Sequence, residues 1–307
     1  MNPPVVLDLF SGCGGLSLGF KNAGYQIKYF VEYWEPAIKT HQKNFPESKL
    51  LGKDITEITN EQIKEIKAID IIIGGPPCQG FSMAGKREIS DPRNQLYKHY
   101  IRFVKIIRPK IVVIENVLGI LSMKSPEGEK TISQIVNDLI SLGYFVCYKK
   151  LKATDYGIPQ KRQRIFIIGL RKEIYPESTG NILKINDVLG NIPEHYNAHL
   201  FYQSTQETID KFRKLSQGQR IGNYGLSTKR LYGDRPSPTV TTKNFFVHPT
   251  ENRLLTPREL ARLQSFPDNF LFEGTKTAMV KQIGNAVPPL LAEAIARKIL
   301  EVSAYEK

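Results

Sequence analysis

Cysteine is scarce in this chain of 307 residues: Cys13, Cys78 and Cys147 are all it has. An odd, small number builds no disulfide framework and suits a reducing compartment, and it leaves nothing for a multi-cysteine zinc ribbon. The five histidines are His41, His99, His195, His199 and His248. His195 and His199 are four apart, but in a Pro/Asn-rich stretch that reads as surface or loop, so no metal site is expected. Long apolar runs are also missing. None approaches the roughly 18–20 residues of a membrane helix. Met1-Asn2-Pro3-Pro4 has no basic region leading into a signal-type stretch, and the apolar run at 5–10 ends at once in a glycine-rich turn. The expectation is a cytoplasmic protein with no membrane contact. Acidic residues are outnumbered, 30 against 43 basic, for a net charge of +13. That balance favours a polyanionic partner. Lys161, Arg162, Arg164, Arg171 and Lys172 cluster mid-chain, followed by Lys211, Arg213, Lys214, Arg220, Lys229, Arg230, Arg235 and Lys243. A phosphate-tracking face and an ordinary solvated surface explain these equally well on charge alone.

What is present first is alternation. Val5–Leu9 is a short apolar run that stops at Ser11-Gly12-Cys13-Gly14-Gly15, and a helical pattern follows until Gly24. Residues 27–31, 69–74, 111–115, 144–151 and 164–170 read as further strands. Residues 36–44, 94–107 and 132–142 read as the helices between them. Strand alternating with helix predicts an α/β fold of the Rossmann-like type, an open and mostly parallel sheet with helices on both faces. Such sheets bind ligands beyond the carboxyl ends of their strands. The glycine turn, Glu32, Asp54, Pro76-Pro77-Cys78 and Glu115 all fall near such ends. After Lys172 the texture turns to Pro, Gly, Asn, Ser and Thr. The predicted organisation is a catalytic and cofactor-binding domain of residues 1–172 plus 276–307, with a smaller domain at 173–275. Helices return at 257–266, with Thr256 as a candidate cap, and at 289–302.

Several residues suit chemistry. Glycines between a strand and a helix let backbone approach a ligand, although Gly12-x-Gly14-Gly15 lacks the full dinucleotide spacing. Glu32 can accept hydrogen bonds from ribose hydroxyls and Asp54 one from an adenine amino group, which together suggest a nucleoside-type cofactor. Cys78 follows two prolines at a strand end and precedes Gly80, a rigid presentation suited to a nucleophile; a packed, inert cysteine is the equal alternative. Glu115 is a carboxylate at the mouth of a buried strand, costly without a partner or a function. Arg162 and Arg164 stand two apart, so strand alternation would aim both at one face, where they could hold a carboxylate and a polar base edge.

In this order the blocks resemble those of the DNA cytosine-C5 methyltransferases of bacterial restriction-modification systems, over essentially the whole chain. Phe10-Ser11-Gly12-Cys13-Gly14-Gly15 resembles the cofactor block, Pro76-Pro77-Cys78-Gln79 the catalytic block, and Glu115-Asn116-Val117 the block with the catalytic acid. Gln160-x-Arg162-x-Arg164 resembles the paired-arginine block. Residues 235–241 (Arg-Pro-Ser-Pro-Thr-Val-Thr) resemble the block beside the target-recognition region, and residues 282–289 the last block, which returns to the cofactor pocket.

The resemblance implies that S-adenosylmethionine is the cofactor and duplex DNA the partner, with a smaller target-recognition domain. Cys78 is then the nucleophile, Glu115 the acid that holds the base, Arg164 the contact to its O2 and Arg162 the residue that orients the acid. Cofactor contacts are implied for Phe10, Ser11, Gly12, Cys13, Gly14, Gly15, Leu16, Glu32, Tyr33, Asp54, Ile55, Pro77, Leu96, Asn285, Ala286 and Val287. The target base must be flipped out of the helix, and residues 82–93 fit a mobile loop that closes over it. DNA contacts are expected from Gln79, Ser82, Lys86, Arg87, Arg93, Arg220, Lys229 and Arg230, since Arg and Gln read purine edges and basic side chains hold phosphates. A monomer is expected, alongside a cognate endonuclease with which it forms no stable complex. Three rivals share some of these features: an RNA methyltransferase, whose Cys-Phe-Thr signature is missing because no cysteine follows Cys147; a non-catalytic DNA-binding relative; and a dinucleotide dehydrogenase.

Overall fold

The apolar run Val5–Leu9 is strand β1, and four of its five residues are buried. A strand covered on both faces needs no polar alternation, and the central strands of the sheet follow the same rule, whereas its edges are more exposed. The structure, a computed structural model, describes residues 2–77, 96–124, 128–170, 174–193, 195–221 and 228–304. After β1 come α1 (Gly15–Asn22), β2 (Gln26–Val31), α2 (Glu35–Asn44), β3 (Lys49–Gly52), α3 (Asn60–Lys64) and β4 (Ile71–Gly74). They are followed by α4 (Leu96–Ile107), β5 (Ile111–Asn116), α5 (Thr131–Ser141), β6 (Phe145–Lys152) and β7 (Gln163–Leu170). All seven strands join one sheet in the order β3-β2-β1-β4-β5-β7-β6. The pairs β1–β2, β1–β4, β2–β3 and β4–β5 are parallel, and β5–β7 is antiparallel.

The expected α/β fold is therefore present, with one strand more than the sequence pattern suggested. Strand β3, four residues bounded by Lys49 and Gly52, is too short and polar to announce itself. Helix α4 buries Tyr97, Tyr100, Phe103 and Val104, the spacing of one helical face. That face joins Leu7, Ile72, Val112 and Ile135 in a continuous core. The Tyr100 hydroxyl reaches the carbonyls of Ile72 at 2.9 Å and Val113 at 3.1 Å, so even this deep phenol has polar company.

The chain divides into two compact units. The first holds residues 1–151, 163–177 and 292–307; the second holds 152–162 and 178–291. This differs from the division read from composition, which kept 152–162 and 276–291 with the catalytic domain. The second unit contains α6 (Gln206–Arg213), β8 (Lys229–Arg230), β9 (Phe246–Val247), α7 (Pro257–Leu263), α8 (Lys276–Asn285) and the start of α9 (Pro289–Ala304). Thr256 caps α7 as expected, in a full capping box with Glu259.

The second unit has little regular structure among its described residues, so its main-chain carbonyls need other donors. Buried arginines supply them. Arg162 donates to the carbonyls of Val240, Gly284 and Ala286. Arg230 donates to those of Phe212, His248 and Glu251, and Arg258 to those of Asn197, Pro267 and Phe270. Arg230 is only 4% exposed, so its guanidinium is committed to the fold and not, as expected, to DNA. Lys211 and Arg213 pair with Glu207 and Asp210 on α6. Part of the positive charge that suggested a phosphate-tracking face thus has a local use. His199, expected at the surface or in a loop, lies in a loop and is buried there, with Nδ1 2.9 Å from the Thr256 hydroxyl. Among the described residues no group of three side chains could hold a metal ion, and no helix is long and apolar enough to cross a membrane.

Candidate functional site

Register builds the site. Leu9 pairs with Val31 on one side and with Gly74 on the other, and Gly74 pairs with Ile114. The next residue of each strand is therefore Phe10, Glu32, Gly75 or Glu115, and these four follow one another along the carboxyl edge of the sheet. Val31 also pairs with Gly52, two residues before Asp54. Strand order reverses between β1 and β4, the place where open α/β sheets take their ligands. Because β7 runs antiparallel, its beginning lies at that same edge. Asn116 pairs with Ile165, so Arg164 follows just beyond.

One half of the edge is a turn with an acid behind it. Phe10 at φ 61° and Gly12 at φ 55° lie in the left-handed region, and Gly14 lies at φ 94°. A Cβ on Gly14 would stand 2.6 Å from the Phe45 ring, so only glycine closes this turn. Glu32 accepts from the amides of Gly12 and Trp34, both at 2.8 Å. The carboxylate thus braces the turn through both of its oxygens. Above Gly12 a Cβ would meet nothing within 4 Å. Tyr33 is 67% exposed, and its ring is accessible for stacking. Asp54 accepts from the amide and hydroxyl of Thr56, which hold its carboxyl below the usual carboxylate range. Cys13, Leu16 and Ile55 are buried, which leaves their backbone as the part a ligand could meet. Open space, a braced carboxylate and an exposed aromatic ring fit a nucleoside-type group.

The second half surrounds the turn that leads to Cys78. Arg164 Nε lies 2.8 Å from Glu115 Oε1, with both side chains largely shielded from water. Burial lowers the Arg164 pKa, and the Glu115 carboxylate opposes that shift. A Cβ on Gly75 would stand 3.1 Å from Glu115 Oε2, so the bare backbone of Gly75 admits the carboxylate. Asn116 donates from Nδ2 to the Pro76 carbonyl at 3.1 Å, tying the turn to β5. Cys78, Gln79, Ser82, Lys86, Arg87 and Arg93 lie outside the described residues, as does the expected closing loop at 82–93.

The other expected site residues divide as follows. Arg162 precedes β7 and belongs to the second unit, so strand alternation does not place it beside Arg164. Leu96 opens α4, half-buried against the core of the first unit. Asn285, Ala286 and Val287 lie in the second unit, at the end of α8 and just after it. Arg220 is exposed there and Lys229 half-buried. Sequence reasoning missed the roles of Asn116 and Gly75. The clue to Asn116 was a polar residue following Glu115 in an otherwise apolar strand.

The fold and this edge define an α/β protein in which a glycine turn braced by Glu32 and a buried acid–guanidinium pair share one sheet edge. The model of the C-5 cytosine-specific DNA methylases matches residues 5–301, and the chain belongs to that family as a DNA (cytosine-5)-methyltransferase. Among curated relatives, type II methyltransferase M1.HphI of Haemophilus parahaemolyticus is 39% identical over 98% of this chain and 87% of its own length. Type II methyltransferase M.DdeI of Desulfomicrobium norvegicum is 36% identical over 96% of this chain and 88% of its own. A solved E. coli structure, described as that of a prophage-encoded DNA modification methyltransferase, superposes with a TM-score of 0.84 at 31% identity, covering 98% of this chain and 99% of that one.

Proposed function

We propose that this enzyme transfers a methyl group from S-adenosylmethionine to C5 of a cytosine flipped out of a short specific duplex site, through a covalent bond between Cys78 and C6. The observation that carries the reading is the Glu115–Arg164 pair beside Gly75, on the turn that leads to Cys78. Cytosine C5 is a weak nucleophile. Addition of the Cys78 thiolate to C6 makes C5 enamine-like, while Glu115 holds N3 and the amino group and Arg164 the O2 edge. S-adenosylmethionine supplies the electrophilic methyl group. Transfer of the C5 proton to water and expulsion of the Cys78 thiolate then restore the aromatic ring. A free thiol ionises near pH 8.5, so basic surroundings would assist it.

Glu32 and Asp54 are the proposed acceptors for the ribose hydroxyls and the adenine amino group, with Phe10, Tyr33 and the backbone of 11–16 and 55 around them. Pro77, Leu96, Asn285, Ala286 and Val287 are proposed contacts from the resemblance, and Arg162 is proposed to support the acid. Residues 173–275 are the proposed target-recognition domain, with Arg220 and Lys229 as its DNA contacts. Gln79, Ser82, Lys86, Arg87 and Arg93 would contact DNA around the flipped base. The type II names of the relatives support a role as the modification half of a restriction-modification system; a cytoplasmic monomer with no stable endonuclease complex is proposed with it.

The test is methyl transfer from labelled S-adenosylmethionine to unmethylated duplex DNA, followed by bisulfite sequencing. Protection of cytosines within one short repeated site is the expected result. Transfer to tRNA and not to duplex DNA would overturn the reading.

A further inference from the structure

Beneath the glycine turn lie three polar side chains that the proposed reaction does not use. Asp8 on β1, Ser17 on α1 and His41 on α2 are each 0% exposed. The Ser17 hydroxyl lies 2.5 Å from Asp8 Oδ2 and 3.2 Å from His41 Nε2. The His41 ring stacks on Phe30, with centroids 3.9 Å apart, and packs against Phe45 at 4.5 Å. Gly14 is pressed against the same two side chains, His41 and Phe45. The three polar groups thus join the strand that enters the turn, the helix that leaves it and the wall behind it.

Ser17 carries one hydroxyl proton and has two neighbours, so a second proton must serve the other contact. In one arrangement the Asp8 carboxyl donates to Ser17 Oγ, Ser17 donates to His41 Nε2, and the His41 proton sits on Nδ1. The network is then neutral. In the other, Asp8 has lost its proton to solvent, Ser17 donates to the carboxylate, and the His41 proton has moved from Nδ1 to Nε2 by exchange. Asp8 Oδ1 and His41 Nδ1 have no hydrogen-bond partner. A carboxylate there would be held by Ser17 alone, through its hydroxyl and its backbone amide. It would face the Glu32 carboxyl beyond β2 and the Tyr100 phenol of α4, with the Cys13 thiol also nearby, while Lys21 of α1 acts on His41.

We propose that Asp8, Ser17 and His41 are positioning residues that hold the glycine turn in its cofactor-binding shape while their network is neutral, so that loss of one proton loosens the turn and weakens cofactor binding. The proposal rests on the reading that this turn binds S-adenosylmethionine. Burial pushes Asp8 up to about 8 and His41 down to about 3, which keeps the network neutral at pH 7. A raised carboxyl contributes stability that is complete in acid, below about pH 4, and is lost as pH rises through its folded value. A depressed histidine contributes stability above about pH 6.5 that is lost on acidification. From about pH 6.5 to 9 only the Asp8 contribution changes.

The experiment is calorimetric binding of S-adenosylhomocysteine, which lacks the sulfonium charge, to the full chain between pH 6.5 and 9. Wild type, Asp8→Asn and Ser17→Ala are compared, so that titration of the ligand's own amine cancels. The wild-type Kd should rise about tenfold per pH unit above the Asp8 value. The Asp8→Asn profile should be flat relative to it, because an amide does not ionise. Ser17→Ala should move the midpoint upward, because the carboxylate loses its donor; a purely structural loss would weaken binding equally at every pH. Parallel profiles in wild type and Asp8→Asn would overturn the proposal. Should Asp8→Asn not fold, an unmoved midpoint in Ser17→Ala overturns it instead. Absence of binding to wild type would remove the cofactor reading and this role together. The Tm gap between wild type and Asp8→Asn, expected to widen from pH 6.5 to 8, would still report the buried proton.

Discussion

Glu115, at the end of β5, and Arg164, at the start of β7, face each other at 2.8 Å because those two strands run antiparallel. The pair is nearly shielded from water, so its worth lies in geometry more than in attraction: taking one partner from a buried pair costs about 3–5 kcal/mol, whereas an apolar substitute for both can be neutral. Arg164→Ala is therefore expected to lower methyl transfer at least about a hundredfold and to lower the urea midpoint as well. Arg164→Lys retains the charge without the planar fork and should recover part of the stability but little of the rate. Single-turnover kinetics beside urea unfolding would separate the two effects.

Asn116 holds the Pro76 carbonyl, two residues before Cys78. Asn116→Ala should cost about 1–2 kcal/mol in stability through an unsatisfied buried carbonyl. The diagnostic effect is on kcat, expected to fall about tenfold or more through a misplaced nucleophile, with KM for S-adenosylmethionine little changed. A rise in that KM with kcat intact would show that the contact serves the cofactor instead.

Glu32 braces Gly12 and Trp34 by accepting a hydrogen bond from the backbone amide of each. Hydrogen bonds to a charged group are worth about 1.5–3 kcal/mol each. Glu32→Gln should therefore weaken S-adenosylhomocysteine binding by about tenfold to a hundredfold, read by calorimetry, while duplex DNA binding in a gel-shift assay stays close to wild type.

The three cysteines are expected to behave differently. The Cys13 thiol is buried, and burial pushes its pKa up to about 12, far from a usable thiolate. Cys147 lies on β6, within 3.8 Å of the Ile168 carbonyl. Cys147→Ser should leave methyl transfer within about twofold, and an alkylating agent should spare Cys13 in the folded protein. Cys78→Ser should abolish transfer while S-adenosylhomocysteine still binds. Retained transfer in that variant would remove the covalent mechanism.

Much of this site was legible in the sequence because its parts sit where short apolar runs end. Val5–Leu9, Ile71–Gly74 and Ile111–Asn116 are buried on both faces, and their composition announces it. Phe10, Glu32, Pro76 and Glu115 could therefore be placed at strand ends. Thr256 followed by Glu259 likewise read as a helix start, and the capping box is there. The alternation rule failed for Arg162 because β7 begins one residue later, at Gln163. Arg230 looked like a phosphate contact because a basic residue in a polar stretch resembles any other. Only the carbonyls of Phe212, His248 and Glu251, brought together by the fold, show what it serves.

The sequence by itself determined the alternating elements, the glycine turn, the acids and the nucleophile candidate, since each depends on composition and spacing within a few residues. Tertiary structure alone decided that Arg164 meets Glu115, that Asn116 holds Pro76 and that Asp8 shares Ser17 with His41. The physical reason is register. Which residues stand opposite one another across a sheet, and which polar atoms must share a proton once water is excluded, depends on segments 9 to 49 residues apart being brought within hydrogen-bond reach, a distance over which local propensity carries no information.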